Sequence, residues 1–221
     1  MLPRILDKAR LATAKALLLA LLLSGTLHPA LLSGQQTQQL DRTTFLTGLN
    51  SQAFDSYAVY AHQRGNIWCW AACIEQALTY CGLYVSQEQV VERCFGGLYD
   101  APGGPMQMYA ALDGWAPTNR GGSSFIHTAS GRIDGTELRS WLDRNWPLIA
   151  GLDNPGQDIG HAYVLTGIYW HYTAYGTLWV DYVVLRDPSP DALRNGTNRV
   201  VMPIDEFQSR LNSIYRVWVS N

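Results

Sequence analysis

The order in which helical and strand-like patterns occur constrains the fold of this chain more than any other feature. Residues 69–80 carry a helical pattern, as do the stretch opened by Ser86, residues 106–113, and residues 136–145, where Leu138, Trp141 and Leu142 share one face. Apolar strand-like runs follow at 147–152, 161–169, 178–186 and 214–219, with a turn at 172–176 and a short helix within 203–211. Helices first and closely linked strands afterwards predict an α+β fold with an antiparallel sheet, not a βαβ alternation.

The 221 residues suffice for one substantial core, and a composition 47% hydrophobic and 11% aromatic argues against disorder. The formal charge of −2 conceals an asymmetry. Residues 1–34 hold Arg4, Lys8, Arg10 and Lys15 against Asp7, a balance of +3 that leaves −5 for residues 35–221. Both lysines of the chain fall in that leading segment. A folded part without lysine and with a mild acidic excess is poorly suited to gripping phosphate backbones, so nucleic acid is not expected as a partner.

The leading segment has the form of a secretory signal: a basic start, the apolar run 16–23, and a mixed stretch reaching Leu32-Ser33-Gly34. Cleavage near Gly34 predicts a secreted or periplasmic protein. The alternative is an uncleaved anchor facing outside the cytoplasm, because residues 27–32 almost extend the run to spanning length. Residues 35–60, polar and rich in Gln and Thr, read as an N-terminal arm. Residues 61–221 form the expected main domain, interrupted at 96–105 by a Gly/Pro-rich loop.

Export makes the four cysteines, Cys69, Cys73, Cys81 and Cys94, informative. Ser86, with Gln89 three residues on, has the pattern of a capping box and starts a second helix. If the two helices form an antiparallel hairpin, Cys73 and Cys94 stand at matching heights, and a Cys73–Cys94 bridge is the favoured pairing. The bland alternative is that all four are reduced and behave as small buried hydrophobes.

Cys69 opens the first helix, where free N–H groups and the helix dipole favour a thiolate, the attacking form of the residue. Gln63, six residues earlier, carries an amide that can point at a developing oxyanion, together with the backbone N–H of Cys69. Gly65 is expected to let the loop between them turn tightly. Gly160-His161 heads an apolar strand, and its glycine leaves room for a substrate backbone. A base at His161 would form an ion pair with the thiol and carry its proton to the leaving group. Asp187 closes the neighbouring strand, where a hairpin brings it beside His161 to hold the ring. Asp181 competes for that role, but it lies on the same strand face roughly 20 Å away. His28, His62, His127 and His171 have no comparable setting. A zinc site on Cys69 and Cys73 is the main reading without catalysis, and it lacks a second close pair.

Together, Gln63, the run Cys69-Trp70-Ala71-Ala72-Cys73, Gly160-His161-Ala162-Tyr163-Val164-Leu165-Thr166-Gly167 and Asp187-Pro188 resemble the papain-like cysteine peptidases. The bacterial branches that cleave leader peptides or act as secreted effectors are the nearest in pattern. The resemblance covers residues 60–190. It implies a helical lobe, with the catalytic helix at its start, packed on an antiparallel sheet lobe across a cleft. It further implies Cys69 as nucleophile, His161 as base, Asp187 as the orienting residue and Gln63 in the oxyanion hole. The implied substrate is a protein or peptide, with no cofactor and no metal, and with membrane contact only if the leader stays attached. The chain departs from papain in having Asp where papain has Asn, and in lacking the Gly-Ser ahead of the cysteine. Other acyl transfers on the same pair remain open: deamidation, transglutamination or cleavage of peptidoglycan amides. So does an inactive papain-like binding protein.

Overall fold

The computed structural model describes residues 37–58, 61–119, 122–131 and 134–220. Residues 1–34, with the leader pattern and the expected cleavage at Gly34, lie outside them. In chain order the elements are β1 (Thr37–Gln39), β2 (Thr44–Gly48), α1 (Ser51–Ala58), α2 (Cys69–Tyr80), α3 (Gln87–Phe95) and α4 (Pro105–Leu112). Then come β3 (Thr118–Asn119), β4 (Gly122–Ser123), β5 (Phe125–Ser130), α5 (Gly135–Asp143), β6 (Leu148–Leu152) and β7 (His161–Tyr172). The chain finishes with β8 (Leu178–Arg186), α6 (Pro190–Arg194), β9 (Arg199–Pro203), α7 (Ile204–Arg210) and β10 (Leu211–Ser220). The fold is α+β, with helices packed on an antiparallel sheet.

The long strand β7 organises that sheet. Along one edge it pairs with β8, which pairs in turn with β9. Its other edge is shared: β6 takes residues 161–165 and β2 takes residues 167–171. β10 joins β6 to β5. The ten residues from Cys69 to Leu78 are all buried, Glu75 and Gln76 among them. α2 packs against β7, β6 and β10 and is flanked by α1, α3 and α4. Ser86 and Gln89 form the expected capping box at α3, each side chain bonding the other's backbone N–H.

Two points add to the sequence reading. Residues 37–58 of the N-terminal arm carry β1, β2 and α1. β2 is hydrogen-bonded to β7, Phe45 stacks on Trp170 with ring centroids 4.5 Å apart, and Trp170 donates to Thr47 Oγ1 at 2.9 Å. The two apolar residues of β2, Phe45 and Leu46, are adjacent, so the strand shows no period-two pattern. The Cys73–Cys94 bridge is also absent, and all four cysteines are free thiols. Height along two antiparallel helices does not fix azimuth: Cys73 is fully buried, while Cys94 donates to the Gln107 carbonyl of α4 at 3.4 Å. Among the described residues no helix is long and apolar enough to cross a membrane.

Candidate active site

Cys69 is the first residue of α2, and Trp68 at the N-cap gives the helix no side-chain bond. The first-turn N–H groups are therefore left without a side-chain cap. The loop that delivers the cysteine is tied down from several directions. Gln63 N–H donates to the Pro188 carbonyl at 2.8 Å, linking this loop to the turn after Asp187. The Asp100 carboxylate accepts from Asn66 Nδ2 at 2.7 Å and from Ile67 N–H at 3.1 Å. Trp68 Nε1 donates to the Tyr99 carbonyl at 2.8 Å. Beneath the loop, the nearly inaccessible Glu75 accepts from Gln87 Nε2 at 2.7 Å and pairs with Arg64 at 3.2 Å. Burial pushes the Glu75 carboxyl upward, against the opposing pull of Gln87 and Arg64. The chain bends at Gly65 and turns at Asn66 and Ile67, and what calls for glycine there is space. The Gly65 φ is not positive, and a Cβ there would stand 2.5 Å from the Trp68 ring.

His161 begins β7 opposite Leu152 of β6. The preceding Gly160 is required by the fold itself, since a Cβ would lie 2.6 Å from the Leu152 carbonyl oxygen. His161 Nε2–H donates to Asp187 Oδ1 at 2.8 Å. The same oxygen accepts from Ser189 N–H at 2.8 Å, and Asp187 N–H donates to the Asn198 carbonyl at 2.7 Å. The carboxylate is thus fixed before it meets the ring. The ring also interacts with the Cys69 side chain, and with Nε2 engaged by Asp187 the nitrogen left for the sulfur is Nδ1. Burial opposes a charge on this ring. The interactions with Asp187 and Cys69 outweigh it and push the His161 pKa up to about 9.

The structure brings together Cys69, His161 and Asp187. Asp181 is bonded instead to His171 Nδ1 at 2.9 Å, so the competing carboxylate is engaged elsewhere on the hairpin. The Gln63 side chain is engaged by its own loop. Its Nε2 donates to the carbonyls of Gly65 and Asn66, at 2.8 and 2.6 Å, and the residue does not line the cleft. The amide expected at an oxyanion is turned into its own loop. His127 stacks on Trp218 and bonds Ser220, away from the cleft. Cys73 lies one helical turn below Cys69. Burial, with Cys69 and Asp187 close by, holds its thiol well above the ordinary range.

Cys69 and His161 face a cleft of about 300 Å³. One wall comes from the helical side: Ile67, Trp70, Met108 and the loop Pro102-Gly103-Gly104-Pro105. The other comes from the sheet: Gly151 to Asp153, Asp158 to Ala162, Asn212 and Ser213. Two residues that sequence reasoning overlooked help to shape this region. Asp100 clamps the loop before Cys69, and nothing local in a Gly/Pro-rich passage marks it. Tyr163, two positions after His161, puts its ring 4.7 Å from the imidazole, and the strand's two-residue period does place it on the same face. Among the described residues no group of three or more His, Cys, Asp or Glu side chains is placed to hold a metal ion.

No protein-family model and no curated protein matches the chain. Among solved structures it is similar to the peptidase domain of Streptococcus ComA, a bi-functional ABC transporter involved in a quorum-sensing pathway. That similarity has a TM-score of 0.46 and 16% identity, over 72% of this chain and 95% of the other.

Proposed function

We propose that this chain is a cysteine peptidase of papain-like type, with Cys69 as nucleophile, His161 as base and acid, and Asp187 as the group that orients the ring. The observation that carries the reading is that Cys69 and a His161 bonded to Asp187 interact at the wall of one cleft. In this mechanism the Cys69 thiolate attacks the peptide carbonyl, and the new oxyanion is held by uncapped N–H groups at the head of α2. Gln63 reaches that oxyanion only once its amide leaves the carbonyls of Gly65 and Asn66. The His161 imidazolium gives its proton to the departing amine, leaving a thioester on Cys69. Water then attacks the thioester while His161 accepts its proton. The acid departs and the thiolate–imidazolium pair is restored.

The test is turnover by wild type and Cys69→Ala on a mixed peptide library, with amine acceptors and peptidoglycan fragments run in parallel. Peptide hydrolysis that disappears in Cys69→Ala is expected. Transfer to amines, or cleavage of peptidoglycan alone, would overturn the peptidase assignment. The leader pattern of residues 1–34 supports export. N-terminal sequencing of the exported protein is then expected to begin near Gln35, and an intact leader on protein confined to the cytoplasm would contradict it.

A further inference from the structure

The His161 ring has a neighbour for which the proposed chemistry assigns no role. Tyr163 lies on the same face of β7, and the two rings meet edge to face, with centroids 4.7 Å apart and planes at 85°. Such edge contacts between rings favour one relative orientation. An imidazole has two torsions to fix, and the Asp187 bond at Nε2 restrains only one end of the ring. The tyrosine ring, set across it, restrains its plane.

Tyr163 is itself braced. Arg210 and Asp187 both lie close enough to influence its hydroxyl. Arg210 ends α7 and is largely covered. Its Nε donates to the Asp153 carbonyl at 3.0 Å, Nη2 to Asn154 Oδ1 at 3.2 Å and Nη1 to Glu206 Oε1 at 3.1 Å. Asp153 N–H donates back to the Arg210 carbonyl at 2.7 Å. One guanidinium therefore holds the start of the 153–160 loop, which leads into His161, and stands beside the hydroxyl of the ring that leans on His161. The groups facing this arrangement are Cys69 and Cys73 from α2, Asp187 just after β8 and Arg210 from α7.

We propose that Tyr163 is a positioning residue that sets the plane of the His161 ring between Cys69 and Asp187, and that Arg210 acts through it. The proposal rests on the Cys69–His161 pair of the peptidase reading, but its test needs no peptide substrate. Two quantities are followed in wild type, Tyr163→Phe, Tyr163→Leu and Arg210→Gln. The first is the rate at which iodoacetamide alkylates Cys69 at neutral pH. The second is the downfield NMR signal of the His161 Nε2 proton bonded to Asp187.

Tyr163→Leu is expected to slow alkylation about tenfold and to broaden the downfield signal away, since a small misplacement of a reacting group is costly. Tyr163→Phe keeps the ring and is expected to retain the signal and a rate within about twofold. Arg210→Gln should move both quantities in the direction of Tyr163→Leu, by less, and it carries the same test should the leucine variant not fold. A folded Tyr163→Leu or Arg210→Gln with wild-type rate and signal overturns this proposal alone. A wild type whose Cys69 alkylates no faster than a free thiol overturns the Cys69–His161 pair, and this proposal with it.

Discussion

The β7–β8 hairpin carries two histidine–aspartate pairs, one near each end, and they make a natural comparison. His161 and Asp187 are bonded at 2.8 Å, His171 and Asp181 at 2.9 Å. By residue type and distance they are almost the same interaction. Their surroundings differ. The first pair is four-fifths covered, uses Nε2, and leaves Nδ1 for a cysteine at the head of a buried helix. The second is about one-third exposed, uses Nδ1, and lies near the turn of the hairpin, outside the cleft. A partly exposed bond of that kind contributes little, typically about 0–1 kcal/mol. A His–Asp pair alone does not make a site. What distinguishes the first is partial burial and a third partner.

Substitutions at the two ends should separate them sharply. The largest contrast is between His161→Ala and His171→Ala. Removing the ring beside Cys69 is expected to lower turnover about 1,000-fold, while the distal change stays within about twofold. A comparable loss from both would show that the hairpin, not the trio, governs activity. The carboxylates give the next effect. Asp187→Asn is expected to lower kcat about 100-fold, because the ring loses the acceptor that fixes it, whereas Asp181→Asn leaves kcat within about twofold.

The smallest effect is on stability. His161 titrates near 9 in the folded chain, against 6.5 for an ordinary histidine, so folding favours its protonated form. Its contribution is complete below about pH 6.5 and fades as pH rises through about 9. In urea unfolding, the stability of wild type relative to His161→Ala should therefore shrink between those values, by at most about 3 kcal/mol. A difference that grows with pH over that window would mean that the ring is held neutral.

Much of this pairing could be read from sequence, for identifiable reasons. β8 falls on residues 178–186 as expected, because its apolar run is bounded by a turn and by Pro188. α2 likewise spans 69–80, where small and apolar residues continue without a breaker. With β7 starting at His161, the hairpin then brings Asp187 to it, since Val164 pairs with Arg186. Other features were hidden. β9 is a short strand paired only to β8, and it ends in Pro203. β2 lacks alternation. The Gln63 amide faces the carbonyls of Gly65 and Asn66, a local competition that spacing to Cys69 does not reveal. Cys73 and Cys94 failed as a pair because helix azimuth depends on packing by α4, which no local pattern encodes.

The central claim is that the setting of Cys69 beside His161 makes it the reactive thiol of this chain. The most direct measurement is mass-mapped labelling with a thiol-directed epoxide at neutral pH under mild reducing conditions, in wild type, Cys69→Ala, His161→Ala and His171→Ala. Label is predicted on Cys69 in preference to Cys73, Cys81 and Cys94, with loss in Cys69→Ala and His161→Ala and retention in His171→Ala. Folded wild-type protein that takes no label at Cys69, or a His161→Ala variant that labels there as fast as wild type, would contradict it.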